Sequence, residues 1–200
     1  MPPSKRNELI DASIRVFSRH GFHASGLDSV LQEAGVSRMT LYNHFKSKDE
    51  LIAAALSRRD EEFLADLDRF VSKCAKDPRG RILAIFEYFS RWFASREFHG
   101  CMFINASSEF PDAKGDIRDV IARNKLGLEM YLAALCEQLG ARDPKGTAQE
   151  LSVALNGMTV IALTIDRTPH AERHAPGAGE IGLRLAEMIL EKAIDKEPSD

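Results

Sequence analysis

Between residues 37 and 48 the chain sets out polar groups at a spacing that could read a nucleic acid. Arg38, Thr40, Tyr42, Asn43 and His44 offer donors and acceptors within one short stretch, while Leu41 and Phe45 recur four residues apart. On a helix this places an apolar anchor on one side and hydrogen-bonding groups along the outer face and ends, which is what entry into the major groove requires. Other candidate chemistry is thinner. Cys74, Cys101 and Cys136 are widely spaced, with no Cys-x-x-Cys, so neither a disulfide framework nor a structural zinc site is expected. Cys101 lies in His99-Gly100-Cys101-Met102, where a nearby His or a helix start would make the thiol reactive; the alternative is a buried, inert cysteine. A thiol-dependent helical enzyme using Cys101 and His99 has a geometric weakness, because residues two apart do not face each other on a helix. That reading, like a plain ligand carrier, also leaves the outer face of residues 38–44 unexplained. His170 and His174 are four apart but sit between Pro169 and Pro176, so no metal is expected there, and no cofactor elsewhere.

The elements that must position residues 37–48 are helices. A stripe Ile10, Ile14, Phe17 closes at Gly21, and Leu27, Val30, Leu31, Ala34 form a second, short helix that ends at Gly35. Gly35 permits a sharp turn, Val36 plugs the angle between helices, and Ser37 caps the third, about Arg38 to Phe45. Ser47 then caps a fourth helix reaching about Ser72. After the break at Pro78 and Gly80 comes the stripe Ile82, Ile85, Phe86, Phe89, Trp92, Phe93; residues 95–115 hold one short helix between loops. Long helices follow from Ile117 to Leu139 and from Asp143-Pro144 to about Ile165, and a last one spans about 180–196, burying Ile181, Leu185, Met188 and Ile189. About nine helices and no sheet make the fold class all-α.

Charge divides in the same place. Residues 1–48 carry seven basic and four acidic side chains, a local charge of +3, within a chain of net charge −3. An anion-seeking module on an acidic body fits that split. With 44% hydrophobic and 28% charged residues among 200, collagen-like, low-complexity and wholly disordered classes are excluded. The run Val153 to Ile165 is too short and too interrupted to span a bilayer, and Met1 to Glu8 holds no apolar signal segment. A cytoplasmic, non-membrane protein is expected.

The run Gly21-Phe22-His23-Ala24-Ser25-Gly26-Leu27-Asp28-Ser29-Val30, followed by Ala34-Gly35-Val36-Ser37-Arg38-Met39-Thr40-Leu41-Tyr42-Asn43-His44-Phe45-Lys46-Ser47-Lys48-Asp49-Glu50-Leu51, resembles the DNA-binding domain of the tetracycline-repressor (TetR) family. The resemblance covers about residues 7–55 without a gap. It implies a DNA-binding domain over 4–64, with its helix-turn-helix at about 27–46, and an effector-binding and dimerisation domain over 65–200. It also implies a homodimeric, ligand-responsive transcriptional regulator, usually a repressor, on a palindromic operator. By matching positions, Tyr42, His44 and Lys48 contact phosphates, and Arg38, Met39, Thr40 and Asn43 face base edges. Met39 departs from the small residue common there, and a thioether can pack on a thymine methyl. Gly26 replaces a commoner Ser or Thr, leaving Ser25 as cap and phosphate donor. Tyr42 as a core aromatic, and His44 and Lys48 as solvated surface groups, remain the plain alternatives.

For the body, the resemblance implies a small-molecule pocket and a four-helix bundle shared between two copies. The helix 144–165 is too apolar for a monomer surface, so the dimer is expected through 144–165 and 180–196. Phe86, Phe89, Trp92, Phe93, Met102, Tyr131 and Met158 could line the pocket, with Cys101 at its edge. Asn105, Asn124 and Asn156 could orient a ligand, or serve as internal hydrogen-bonding residues.

Overall fold

The computed structural model describes residues 4–112, 114–168 and 176–194. Among these are nine α-helices and no strand: α1 (Lys5–His20), α2 (Leu27–Ala34), α3 (Arg38–His44), α4 (Lys48–Cys74), α5 (Pro78–Ala94), α6 (Met102–Glu109), α7 (Asp116–Leu139), α8 (Pro144–Ile161) and α9 (Ala178–Ile194). A π-helical turn, Ala162–Asp166, continues α8, so the apolar run that reads as one helix changes its hydrogen-bond register near its end. Residues 170, 174, 195 and 196 lie outside the described residues.

Local chemistry sets the helix starts. The Ser37 hydroxyl accepts the N–H of Thr40 at 3.1 Å, and that of Ser47 accepts the N–H of Glu50 at 3.1 Å. Glu50 returns the favour one residue early, its carboxylate accepting the Lys46 N–H at 2.7 Å. Asp77 and Asp143 cap α5 and α8 in front of Pro78 and Pro144, where a missing N–H costs nothing. Between α2 and α3, Gly35 adopts φ 64°, a left-handed turn that a Cβ would strain. Ser25 does not cap α2. The cap position belongs to Gly26, with no side-chain hydrogen bond, and the Ser25 hydroxyl donates to Gly21 O at 2.6 Å.

Packing divides the chain into two compact units, with a first break between residues 63 and 64 and a later segment returning to the first unit. One holds residues 1–63 and 101–124, the other residues 64–100 and 125–200. In the first unit, Phe17, Phe22, Val30, Leu41, Phe45, Leu51 and Leu56 share a core with Met102, Phe103, Ala106, Ile117 and Val120. Helix α6 and the start of α7 therefore belong with the helix-turn-helix. At its end, α6 makes a polar clasp on the α1–α2 turn: the Glu109 carboxylate accepts the N–H of Phe22 at 2.9 Å and of His23 at 2.6 Å.

In the second unit α9 inverts an expectation. Its inward face is small, with Ala178, Gly182, Ala186 and Ala193 buried alongside Leu190. A Cβ on Gly182 would stand 2.4 Å from Met158 Sδ, so the glycine is what lets α8 and α9 approach. The larger residues assigned to the core, Leu185 and Met188, are exposed instead, and Ile181 and Ile189 are only half-buried. On α8, Val153 and Val160 are likewise exposed, and a Cβ on Gly157 would meet nothing within 4 Å.

Candidate nucleic-acid interface

Helix α3 is held to its unit by one face. Leu41 and Phe45 are buried, and Arg6 lies over the Phe45 ring at 5.1 Å. Met39, Tyr42 and Asn43 project away from that face, and Ser37, Arg38 and His44 stand at the two ends of the helix, all exposed; Met39 reaches 75% and Tyr42 51%. Thr40 is half-buried and its hydroxyl shares a 2.9 Å hydrogen bond with that of Ser37. Tyr42 is therefore no core aromatic.

Two candidates are less free than their sequence positions imply. Ser25 is only 3% exposed and its hydroxyl proton is committed to Gly21 O, which removes that hydroxyl as a phosphate donor. Lys48 is half-buried, its ammonium donating to Phe22 O at 2.6 Å. An ammonium has three donors, so this bond leaves two for an anion.

Charges near α3 are organised in pairs. Arg15 holds Glu33 at 2.6 Å, and this hydrogen bond keeps the Glu33 carboxyl below the usual carboxylate range. Arg38 pairs with Asp28 of α2 at 2.5 Å, and this bond raises the guanidinium's already high pKa, with a smaller contribution from Tyr42. Asp28 and Arg6 carry no periodic signal that would single them out. Asp28 is ten residues from its partner, and Arg6 is in another helix from the ring it covers.

The surface so built, a short helix anchored by two apolar residues and presenting an exposed polar face after a glycine turn, has counterparts among known proteins. The family described as bacterial regulatory proteins, tetR family, matches residues 9–55, and the tetracyclin repressor-like C-terminal domain matches residues 78–175. The chain belongs to the TetR family. It is a DNA-binding transcriptional regulator. A TetR-family regulator from Streptomyces coelicolor has a similar crystal structure, with a TM-score of 0.84 at 26% identity, covering 96% of each chain. The HTH-type transcriptional repressor ComR of Escherichia coli is 25% identical over 165 residues, 78% of this chain and 79% of ComR. The HTH-type transcriptional activator FasR of Mycolicibacterium smegmatis is 38% identical over 85 residues, 42% of this chain and 38% of FasR. These matches point to a regulator rather than to an enzyme.

The regulator's expected pocket residues are distributed over both units. Cys101, Met102, Asn105 and Asn124 fall in the first; Phe86, Phe89, Trp92, Phe93, Tyr131, Asn156 and Met158 fall in the second. Within the second, Phe89 stacks edge-on against Trp92 and Phe93, and both of these touch Phe98. Three of the four polar candidates, Asn124, Asn156 and Tyr131, have internal partners. Asn124 donates to the buried Asp60 at 2.8 Å, and Asn156 donates to Ser152 O and accepts from Lys125, both at 2.8 Å. Tyr131 donates to Asp68 at 2.9 Å and accepts from Arg81 at 3.0 Å. These three groups serve the protein's own hydrogen bonding. Cys101, half-buried, precedes α6 in the first unit, whereas His99 belongs to the second. Burial pushes the Cys136 thiol up to about 11, which keeps it protonated at neutral pH.

Proposed function

We propose that the regulator binds a palindromic operator as a homodimer joined through α8 and α9, acts as a repressor, and is released by a small-molecule effector. The observation that carries the DNA reading is the exposed polar face of α3. In this reading Arg38, Met39, Thr40 and Asn43 meet base edges, while Tyr42, His44 and the two remaining Lys48 donors hold phosphates. The exposed apolar side chains of α8 and α9 support the dimer, since a face holding Val153, Val160, Leu185 and Met188 gains by being covered. Two recognition helices must then enter successive major grooves, about 34–36 Å apart. Repression is favoured because ComR, matched over most of its length, bears that name, whereas FasR, an activator, matches over a shorter part. As a member of its family the regulator is expected to be soluble and cytoplasmic.

An effector lowers operator affinity only by binding better to a dimer whose recognition helices are spaced differently. The aromatic cluster of Phe89, Trp92, Phe93 and Phe98 favours an apolar, partly aromatic molecule. Because Asn156 and Tyr131, the polar candidates of the same unit, already have partners, an effector would find few orienting polar groups there.

Two substitutions on α3 separate reading from holding. Asn43→Ala is expected to cost about 1–3 kcal/mol on the operator and little on scrambled duplex, so that preference relaxes at one base pair. Tyr42→Phe is expected to weaken both duplexes by a similar factor. Fluorescence anisotropy with both duplexes tests this, and equal losses for Asn43→Ala would remove its assignment as a reader.

A further inference from the structure

We propose that Asp28 is a specificity-determining positioning residue: its carboxylate holds Arg38 toward base edges and keeps the guanidinium off phosphates. The inference rests on α3 being the recognition helix. Arg38 is the first residue of α3, beside the Ser37 cap, and Asp28 lies in the first turn of α2. The bond joins Arg38 Nη2 to one carboxylate oxygen, and both side chains are largely exposed. An exposed pair of this kind adds little to stability, and the first turn of α2 favours a carboxylate only modestly, a small gain for a negative charge on the surface that must meet a polyanion.

The guanidinium chemistry supplies a further reason. Arginine has a planar fork of five donors. With Nη2 engaged by Asp28, donors remain on the other edges, and a bidentate contact to guanine O6 and N7 can form with the pair intact. A phosphate contact is different. It brings a second anion to a guanidinium already neutralised, against repulsion from Asp28, so it must break the pair or accept the repulsion. Arg38 is thereby made a poor clamp for arbitrary backbone and is left available to a base. That penalty falls on every wrong sequence, and discrimination arises partly from what the residue disfavours.

The test uses the full-length protein, the duplex that it enriches itself from a randomised library, and a scrambled duplex of equal composition. Asp28→Asn keeps the shape and removes the charge. It is expected to raise affinity for the scrambled duplex by about three- to tenfold and to steepen the salt dependence of that binding by about one unit of log–log slope, as one more cation becomes available to phosphate. Affinity for the enriched duplex should rise less or fall, so the ratio of the two drops. Removing any carboxylate near DNA would raise both affinities, so the same substitution is repeated in an Arg38→Ala background. There the ratio should not change, because the guanidinium through which Asp28 acts is gone. A ratio that falls equally in both backgrounds, or that Asp28→Asn leaves unchanged in the otherwise unaltered protein, overturns the proposal. If that protein enriches no duplex at all, the DNA reading of α3 falls first and the role of Asp28 falls with it. Unchanged thermal melts of Asp28→Asn are expected and set aside a folding effect.

Discussion

Replacing Leu185 with Asp is expected to turn the dimer into monomers and to reduce operator affinity by at least about a hundredfold, which corresponds to roughly 2.7 kcal/mol. In a single protomer the carboxylate would be tolerated, since Leu185 is already 41% exposed and lies on the outer side of α9. In a dimer built on α8 and α9 the same carboxylate would be taken out of water beside Val153, Val160 and Met188 or their copies. Burying an unpaired charge costs several kcal/mol, and symmetry applies the cost twice. Each monomer would then hold only one half-site. Sedimentation velocity and operator titration, with circular dichroism to confirm folding, read the effect. If Leu185→Asp combined with Met188→Asp leaves the sedimentation coefficient unchanged, the proposed dimer through α8 and α9 is overturned.

The second large effect falls on Glu109. Its carboxylate takes the N–H groups of Phe22 and His23, while Lys48 holds the carbonyl of Phe22, so the α1–α2 turn is gripped from both sides. Hydrogen bonds to a charged group contribute about 1.5–3 kcal/mol each, and an N–H left without a partner also costs its desolvation. Glu109→Ala is expected to destabilise the first unit by about 2–4 kcal/mol and to lower the melting temperature by about 5–15 °C. Hydrogen exchange localises the effect: protection at the Phe22 and His23 amides should fall further than at Leu9 or Ile52. Operator affinity should fall with it, because the turn that releases Phe22 also frees Lys48. Undiminished protection at both amides would show that the clasp contributes nothing in solution.

The contrast between these two regions explains what could be read in advance. The helix-turn-helix was legible because its determinants are local: a glycine at the turn, a serine cap, and apolar residues three and four apart are fixed by the backbone geometry of a few residues. Ser25 was misread for the same reason, since a serine before an apolar run resembles a cap until its hydroxyl is seen on Gly21 O. On α9, periodicity found an apolar stripe but not the side on which its partner lies. The close approach to Met158 required Gly182 and Ala186 inside, and that is a property of α8, not of the α9 sequence. Glu109 and Phe22 are 87 residues apart, so no local pattern joins them. The partners of Asn124 and Asn156, namely Asp60, Ser152 and Lys125, lie 4 to 64 residues away and could not be paired with them from the sequence.

In the proposed function, α3 reads a specific duplex as one of a symmetric pair. Selection from a randomised duplex library with the purified protein, followed by titration of the enriched duplex at two salt concentrations, tests it most directly. A palindrome whose half-sites are about one helical turn apart is expected, with affinity falling steeply as salt rises. Folded, dimeric protein that enriches nothing at low salt would contradict it.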